Sequence, residues 1–201
     1  VLAGAGINLE RYKMQPYPKH TRIHFLYLGR IMKEKGIDEL FYAVRHLKKE
    51  NENFVLDLVG FFEDEYKEQV KELEKHSIAH FYGFQSDPRP FYIEADCVVL
   101  PSYHEGMSNV LLEAAATGRP VITSNIPGCR ESVENGKSGL LVEVKNKEML
   151  YDAMKEMLHC SREEREQMGQ AGREKMEKEF RKEVVVEKTV QSLREDEKRD
   201  F

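Results

Sequence analysis

Two hydrophobic rhythms alternate along the chain. Ile23-His24-Phe25-Leu26-Tyr27-Leu28 is a short, nearly continuous apolar run closed by Gly29. Ile37, Leu40, Phe41, Val44 and Leu47 then recur at the spacing of one helix face. The run from Phe54 to Val59 closes at Gly60, and Tyr66, Val70 and Leu73 mark a second helix. Ile78 to Tyr82 closes at Gly83, and Asp87 to Ala95 reads as a short helix opened by Pro88. Cys97 to Leu100 ends at Pro101, and Val110 to Ala116 is helical. Pro120 to Thr123 and Leu140 to Val142 are the last two strands, and Leu150, Met154 and Met157 share a helix face. Short buried strands alternating with helices predict an α/β fold: a Rossmann-like, three-layer domain with a six-stranded parallel sheet covered on both faces.

The flanks read differently. Residues 1–20 carry Gly4, Gly6, Pro16 and Pro18 without periodicity and form an irregular lead-in to a domain spanning 21–160. Gly4-Ala5-Gly6 is no dinucleotide fingerprint, because no strand precedes it and Glu10-Arg11 stands where a third glycine and a helix belong. Residues 161–201 hold 11 basic and 12 acidic side chains and predict surface helices laced by Glu/Lys pairs, broken near Phe180. Val184-Val185-Val186 suits a strand by propensity, but Val186, Val190 and Leu193 favour a helix.

Composition narrows the class. The 31 basic and 36 acidic side chains give a formal charge of -5, against the basic excess of a general nucleic-acid binder. No apolar run approaches the roughly 20 residues of a membrane span. Val1-Leu2-Ala3-Gly4 lacks the pattern of a secretion signal, and a start without Met is the expectation for a segment of a longer chain. Cys97, Cys129 and Cys160 are widely spaced and odd in number, which fits a reducing cytosol better than a disulfide framework or a metal site. His20, His46, His76, His80 and His159 show no metal spacing, the aspartates show no paired pattern, and His24 reads as a satisfied strand residue.

In an open parallel sheet, ligands bind beyond the carboxyl ends of the strands. Three of the segments there begin with glycine (Gly29, Gly60, Gly83), which suits close approach of a ligand or simply a strand-to-helix turn. In Gly29-Arg30-Ile31-Met32-Lys33-Glu34-Lys35-Gly36, Arg30 and Lys35 can converge as a guanidinium fork and a mobile ammonium, suited to a diphosphate. From Pro101 to Ala114 a strand end leads into a helix starting near Ser108, so the backbone N–H groups of Gly106, Met107 and Ser108 are candidate phosphate donors. Glu113 stands among Val110, Leu111, Leu112 and Ala114, where a carboxylate needs a partner: a ribose or a salt bridge to a strand. It lies about 7–8 Å along the helix from Ser108, the separation between a nucleotide's phosphates and its ribose hydroxyls. Glu105 guards the helix entrance, near a group on the far phosphate or as a capping carboxylate. His104 reads as a loop residue, and Tyr103 as packing or a sugar-wall contact.

Glu105-Gly-Met-Ser-Asn-Val-Leu-Leu-Glu113 resembles the paired-glutamate signature of the family 4 retaining glycosyltransferases, enzymes of the GT-B fold. Gly29-Arg30 with Lys35-Gly36 is similar to their diphosphate-binding turn. Ala115 to Ile122, Pro127 to Glu131 and Asn135 to Val142 match in type and order, so that the similarity runs from about residue 1 to 160. The resemblance implies the C-terminal, donor-binding half of such an enzyme, with the linker at Val1 to Tyr12. It implies that Gly29, Arg30 and Lys35 hold the diphosphate of a nucleotide sugar in place of a metal. Gly106, Met107 and Ser108 would donate to the far phosphate, Glu105 would contact the donor sugar, Glu113 the ribose, and Phe84 would lie beside the base. Arg30, Lys35 and Glu105 would act in catalysis, with no metal and no cofactor. Gly128-Cys129-Arg130 is similar to members that build bacterial surface polysaccharides from UDP-sugars. The N-terminal acceptor domain is missing from the 201 residues, so transfer by this chain alone is not expected, and residues past about Phe180 would be loosely held or dock on a neighbour. Two alternatives stand beside this reading: another GT-B nucleotide-sugar enzyme, such as an epimerase or phosphorylase, and a Rossmann-like module without catalysis.

Overall fold

The computed structural model describes residue 4, residues 6–50 and residues 52–197. The readings that fall on residues 1–3, 5 and 198–201 lie outside these. Six strands form one sheet: β1 (Ile23–Leu28), β2 (Phe54–Val59), β3 (Ala79–Gly83), β4 (Cys97–Leu100), β5 (Val121–Ser124) and β6 (Gly139–Val142). All pairings are parallel, in the order β3-β2-β1-β4-β5-β6. The helices are α1 (Ile37–Lys49), α2 (Lys67–Lys75), α3 (Arg89–Glu94), α4 (Asn109–Ala116), α5 (Lys147–His159), α6 (Arg162–Lys175) and α7 (Lys182–Glu197). The periodicity thus located every strand and helix within a few residues.

Strands β2 and β4 are buried at every position, which is why they read as near-continuous apolar runs, interrupted in β2 by Asp57, rather than as alternations. Right-handed crossovers put α1 and α2 on one face and, after the chain doubles back past β1, α3 and α4 on the other. α5 returns to pack on α1, and α6 packs on α4. The reversal leaves a switch point between β1 and β4, where the connections leave in opposite directions and a crevice opens at the carboxyl ends.

The lead-in is a belt rather than a loose tether. Ile7 bridges to the segment before α7 through Ile7 N–H to Phe180 O (2.7 Å) and Lys182 N–H to Ile7 O (3.2 Å). Tyr12 and Tyr17 are buried, and the Tyr17 hydroxyl donates to Asp96 O at 2.5 Å.

The stretch after 160 differs from the surface helices that its charge pattern predicts. Ser161 and Glu164 form a reciprocal cap on α6, so the helix start is legible. Its inner face, however, is closed by arginines. Arg173 Nη1 donates to Ala116 O (2.8 Å) and Tyr12 O (2.9 Å), and Arg165 is buried with its guanidinium on Met157 O, Cys160 O and Tyr17 Oη. A π-helical turn over Met176–Phe180 buries both of its terminal side chains and makes the break expected at Phe180. Beyond it α7 is helical through the valines, with Val185 buried and Val186 and Val190 exposed. No helix among the described residues is long and apolar enough to cross a membrane.

Candidate functional site

A cleft of about 290 Å³ opens at the switch point, lined by Leu28, Gly29, Arg30 and Lys35 from the β1 side and by Leu100, Glu105 and Met107 to Val110 from the β4 side. Backbone ties fix both walls. Gly29 N–H continues the ladder onto Val59 O (2.9 Å), and the Tyr27 hydroxyl holds Arg30 O at 2.5 Å. A 3-10 turn at Lys33–Lys35 brings Glu34 O under Tyr103 N–H (2.8 Å), which ties the two loops together. The Tyr103 hydroxyl is spent on both carboxylate oxygens of Glu39 (2.9 Å each), so Tyr103 is packing and not a sugar wall. His104 is exposed on its loop.

Each cation in the cleft carries one carboxylate partner. Arg30 Nη1 lies 2.7 Å from Glu63 Oε2, and both side chains are about half exposed. Lys35 Nζ lies 2.6 Å from Glu105 Oε1, which also accepts from Ser102 Oγ at 2.8 Å. Glu105 is therefore neither a helix cap nor free: it is the lysine's counter-ion. Glu63 and Ser102 were not singled out from sequence. Ser102 stands three residues before Glu105, a spacing that a turn closes. Glu63 becomes visible only when Ile31 N–H donates to Phe61 O (2.8 Å) and Glu63 N–H to Ile31 O (3.1 Å), lacing the two loops.

One expected donor is corrected. Ser108 N–H already donates to Gly128 O at 3.0 Å, so the unpaired amides of the helix start are those of Asn109, Val110 and Leu111, one step further along. The cause is the loop after β5, which presses on the loop before α4. A Cβ on Gly128, whose φ is +88°, would lie 1.4 Å from Gly106 O, so only glycine admits this approach. Met107 and Ser108 line the cleft, whereas Gly106 is exposed at the turn and outside its lining. Gly60 is also explained by the fold: its missing Cβ would sit 1.8 Å from Gly29 O, so its smallness serves two neighbouring backbones, not a ligand.

Glu113 lies one turn beyond Asn109 on the same helix face, outside the cleft lining. No strand residue pairs with it: the Tyr92 hydroxyl donates to Oε2 at 2.9 Å, and the Tyr12 hydroxyl and Arg11 face it from the lead-in. Burial pushes its carboxyl pKa up, opposed by that hydrogen bond. Phe84 projects from the end of β3, 70% exposed, with the Phe61 ring 6.5 Å away at 60°. Two exposed aromatic rings at strand ends make an apolar shelf that sequence reading found only by half.

A larger groove, about 390 Å³, runs between the lead-in and α3, lined by Arg11, Tyr12, Lys13, Asp87 and Arg89 among others. Its Arg89 is held bidentately by Asp87 (2.8 and 2.6 Å), and no strand end opens into it. The smaller cleft has the better chemistry for a ligand. Among the described residues no group of three His, Cys, Asp or Glu side chains is placed to hold a metal ion.

A sequence profile described as "Glycosyl transferases group 1" matches residues 10–175. The chain belongs to the group 1 glycosyltransferase family. It is 28% identical over 193 residues to the capsular polysaccharide biosynthesis glycosyltransferase CapM of Staphylococcus aureus, covering 90% of this chain and 50% of CapM. The sucrose-phosphate synthase of Thermosynechococcus elongatus superposes with a TM-score of 0.79 at 26% identity, over 94% of this chain and 51% of that one. The C-terminal domain of a group 1 glycosyltransferase (LpcC) from Francisella tularensis superposes with a TM-score of 0.71 at 25% identity, over 88% of this chain and 99% of that domain. The six-stranded parallel domain is thus one found in GT-B glycosyltransferases, and the chain spans about half the length of CapM and of the synthase.

Proposed function

We propose that this chain is the C-terminal, donor-binding half of a retaining glycosyltransferase that takes a sugar from a nucleoside diphosphate sugar, of the UDP class, for polysaccharide or glycoconjugate synthesis. The observation that carries the reading is the convergence, at the switch point, of Arg30, Lys35 and the unpaired amides at the start of α4. Its match to nearly all of an isolated C-terminal domain supports the half-enzyme assignment, and the likeness to CapM supports a surface-polysaccharide role.

A diphosphate entering the cleft exchanges with two carboxylates. Arg30 leaves Glu63 and Lys35 leaves Glu105, each trading one anionic partner for another. As the bond between the anomeric carbon and the diphosphate oxygen breaks, negative charge grows on the leaving group. Arg30, Lys35 and the amides of Asn109 to Leu111 put positive charge there before the reaction starts, so no reorganisation is needed when the charge appears. Glu105, displaced from Lys35 yet still held by Ser102, faces the hydroxyls of the donor sugar. Glu113 accepts from the ribose, and the Phe84–Phe61 shelf takes the base. The acceptor and the groups that activate it belong to the other half of the enzyme.

The test is Glu105→Gln, titrated with UDP and with a panel of UDP-sugars. UDP binding is expected to persist, because the amide no longer competes for Lys35, while discrimination between sugars shrinks. Unchanged discrimination removes Glu105 from the sugar site. Sugar transfer by the 201-residue chain on its own would overturn the half-enzyme reading.

A further inference from the structure

The group facing Glu113 is built with more care than a buried tyrosine needs. Tyr92 is completely buried in α3, a helix of a turn and a half. Its hydroxyl reaches Glu113 Oε2 at 2.9 Å across the α3–α4 boundary. Its carbonyl end is anchored independently. Arg119, itself fully buried, donates Nε to Tyr92 O (2.8 Å) and Nη2 to Ile93 O (3.0 Å), and its remaining N–H groups bind the carbonyls of Gln15, Pro16 and Gly118. Tyr12 stands edge-on to the Tyr92 ring, 6.2 Å between centroids. So the tyrosine is tied at its hydroxyl, at its carbonyl and along its ring edge.

We infer that Tyr92 is a positioning residue for ribose recognition: it holds Glu113 by Oε2 and leaves Oε1 to accept from the sugar hydroxyls of the nucleotide. The inference rests on the reading of Glu113 as the ribose carboxylate. A carboxylate on an otherwise apolar helix face can rotate about its side-chain torsions or take up a proton, and either loses the acceptor. A hydroxyl donor from the core opposes both, since it favours the ionised carboxylate and ties one of the two oxygens. The groups that face Glu113 are the hydroxyls of Tyr92 on α3 and Tyr12 on the lead-in, with Arg11 nearby as the cation; burial raises its pKa and these three lower it. Tyr92 itself stays protonated, its pKa driven well above the usual phenol range by burial.

The experiment is a calorimetric titration of the 201-residue chain with UDP and 2′-deoxy-UDP between pH 5 and 8, for the wild type, Glu113→Gln and Tyr92→Phe. The wild type is expected to prefer UDP. Glu113→Gln narrows that preference by about tenfold, the scale of one hydrogen bond to a charged group. Tyr92→Phe narrows it by about threefold, and its preference fades on acidification at a higher pH than in the wild type, because the carboxyl has lost a donor that favours ionisation. Since selectivity is a ratio on one protein, a general loss of folding lowers both affinities and leaves the ratio unmoved. If Glu113→Gln narrows the preference while Tyr92→Phe keeps both the wild-type ratio and the wild-type pH profile, Tyr92 is only a core residue. If Glu113→Gln leaves the ratio unchanged, or the wild type binds both nucleotides equally, the ribose reading goes and the positioning role with it.

Discussion

The two ends of the sheet treat positive charge in opposite ways. At the amino end, Arg119 and Arg165 are buried and bind backbone carbonyls: five for Arg119, and two carbonyls with one phenol for Arg165. At the carboxyl end, Arg30 and Lys35 each bind one side-chain carboxylate, and Arg30 is about half exposed. A carbonyl in a packed backbone cannot leave, so a guanidinium satisfied by carbonyls is a structural rivet. The Glu63 carboxylate on a surface loop can be exchanged for a stronger anion at little cost, since an exposed ion pair contributes roughly 0–1 kcal/mol, whereas the Lys35–Glu105 pair, with side chains 16% and 15% exposed, is held more firmly. The same residue type is thus locked or available according to what satisfies it.

The largest effect expected from this contrast is at the locked end. Arg119→Met removes the charge but orphans five carbonyls drawn from the lead-in, α3 and the end of α4. The loss should be about 3–5 kcal/mol, the scale of breaking a buried charged network. Arg119→Lys should rescue little, because one ammonium cannot reach a fan of acceptors that a planar fork spans. Thermal or urea unfolding checks both, and near-wild-type stability for either variant breaks the comparison.

A smaller effect, of opposite sign, is expected at Glu113. Burial raises the folded-state pKa of Glu113, so keeping it ionised near neutral pH costs stability, and that cost fades as pH falls through the folded pKa. Glu113→Gln keeps the Tyr92 hydrogen bond and removes the charge. Its melting temperature should exceed wild type at pH 7–8, with the gain shrinking on acidification. A variant less stable than wild type at pH 8 would mean that the carboxylate supports the fold.

The smallest effect concerns a titrating pair across β1 and β2, His24 Nδ1 with Asp57 Oδ2 at 2.8 Å. The hydrogen bond to Asp57 raises the His24 pKa. Its contribution should be complete below the unfolded value near 6.5 and lost as pH rises through the folded pKa. Unfolding of wild type and His24→Ala, compared at pH 5.5 and 8.5, should show the larger gap at the lower pH. Equal gaps would make His24 a packing residue only.

Sequence reading reached these sites unevenly, and the reason is sequence distance. Strands and helices were legible because hydrophobic period is local. Arg30, Lys35 and Glu105 were legible because each stands at a strand end or helix start, which is also a local property. Glu113 was found by a misfit, a carboxylate in an apolar stretch, but its partner lies 21 residues away on another helix. The misassignment of Ser108 N–H has the same origin, for its acceptor is on the loop after β5. The inner face of α6 was hidden because its arginines look like surface charge until the carbonyls they bind, at Ala116 and Tyr12, are in place.

Arg30 and Lys35 are proposed as the diphosphate site. Calorimetric titration with UDP and with uridine, on wild type, Arg30→Ala and Lys35→Ala, tests it most directly. Each substitution should weaken UDP binding by about 1.5–3 kcal/mol, the worth of a charge-assisted contact, while uridine binding barely changes. UDP bound as tightly by both variants as by wild type would contradict it.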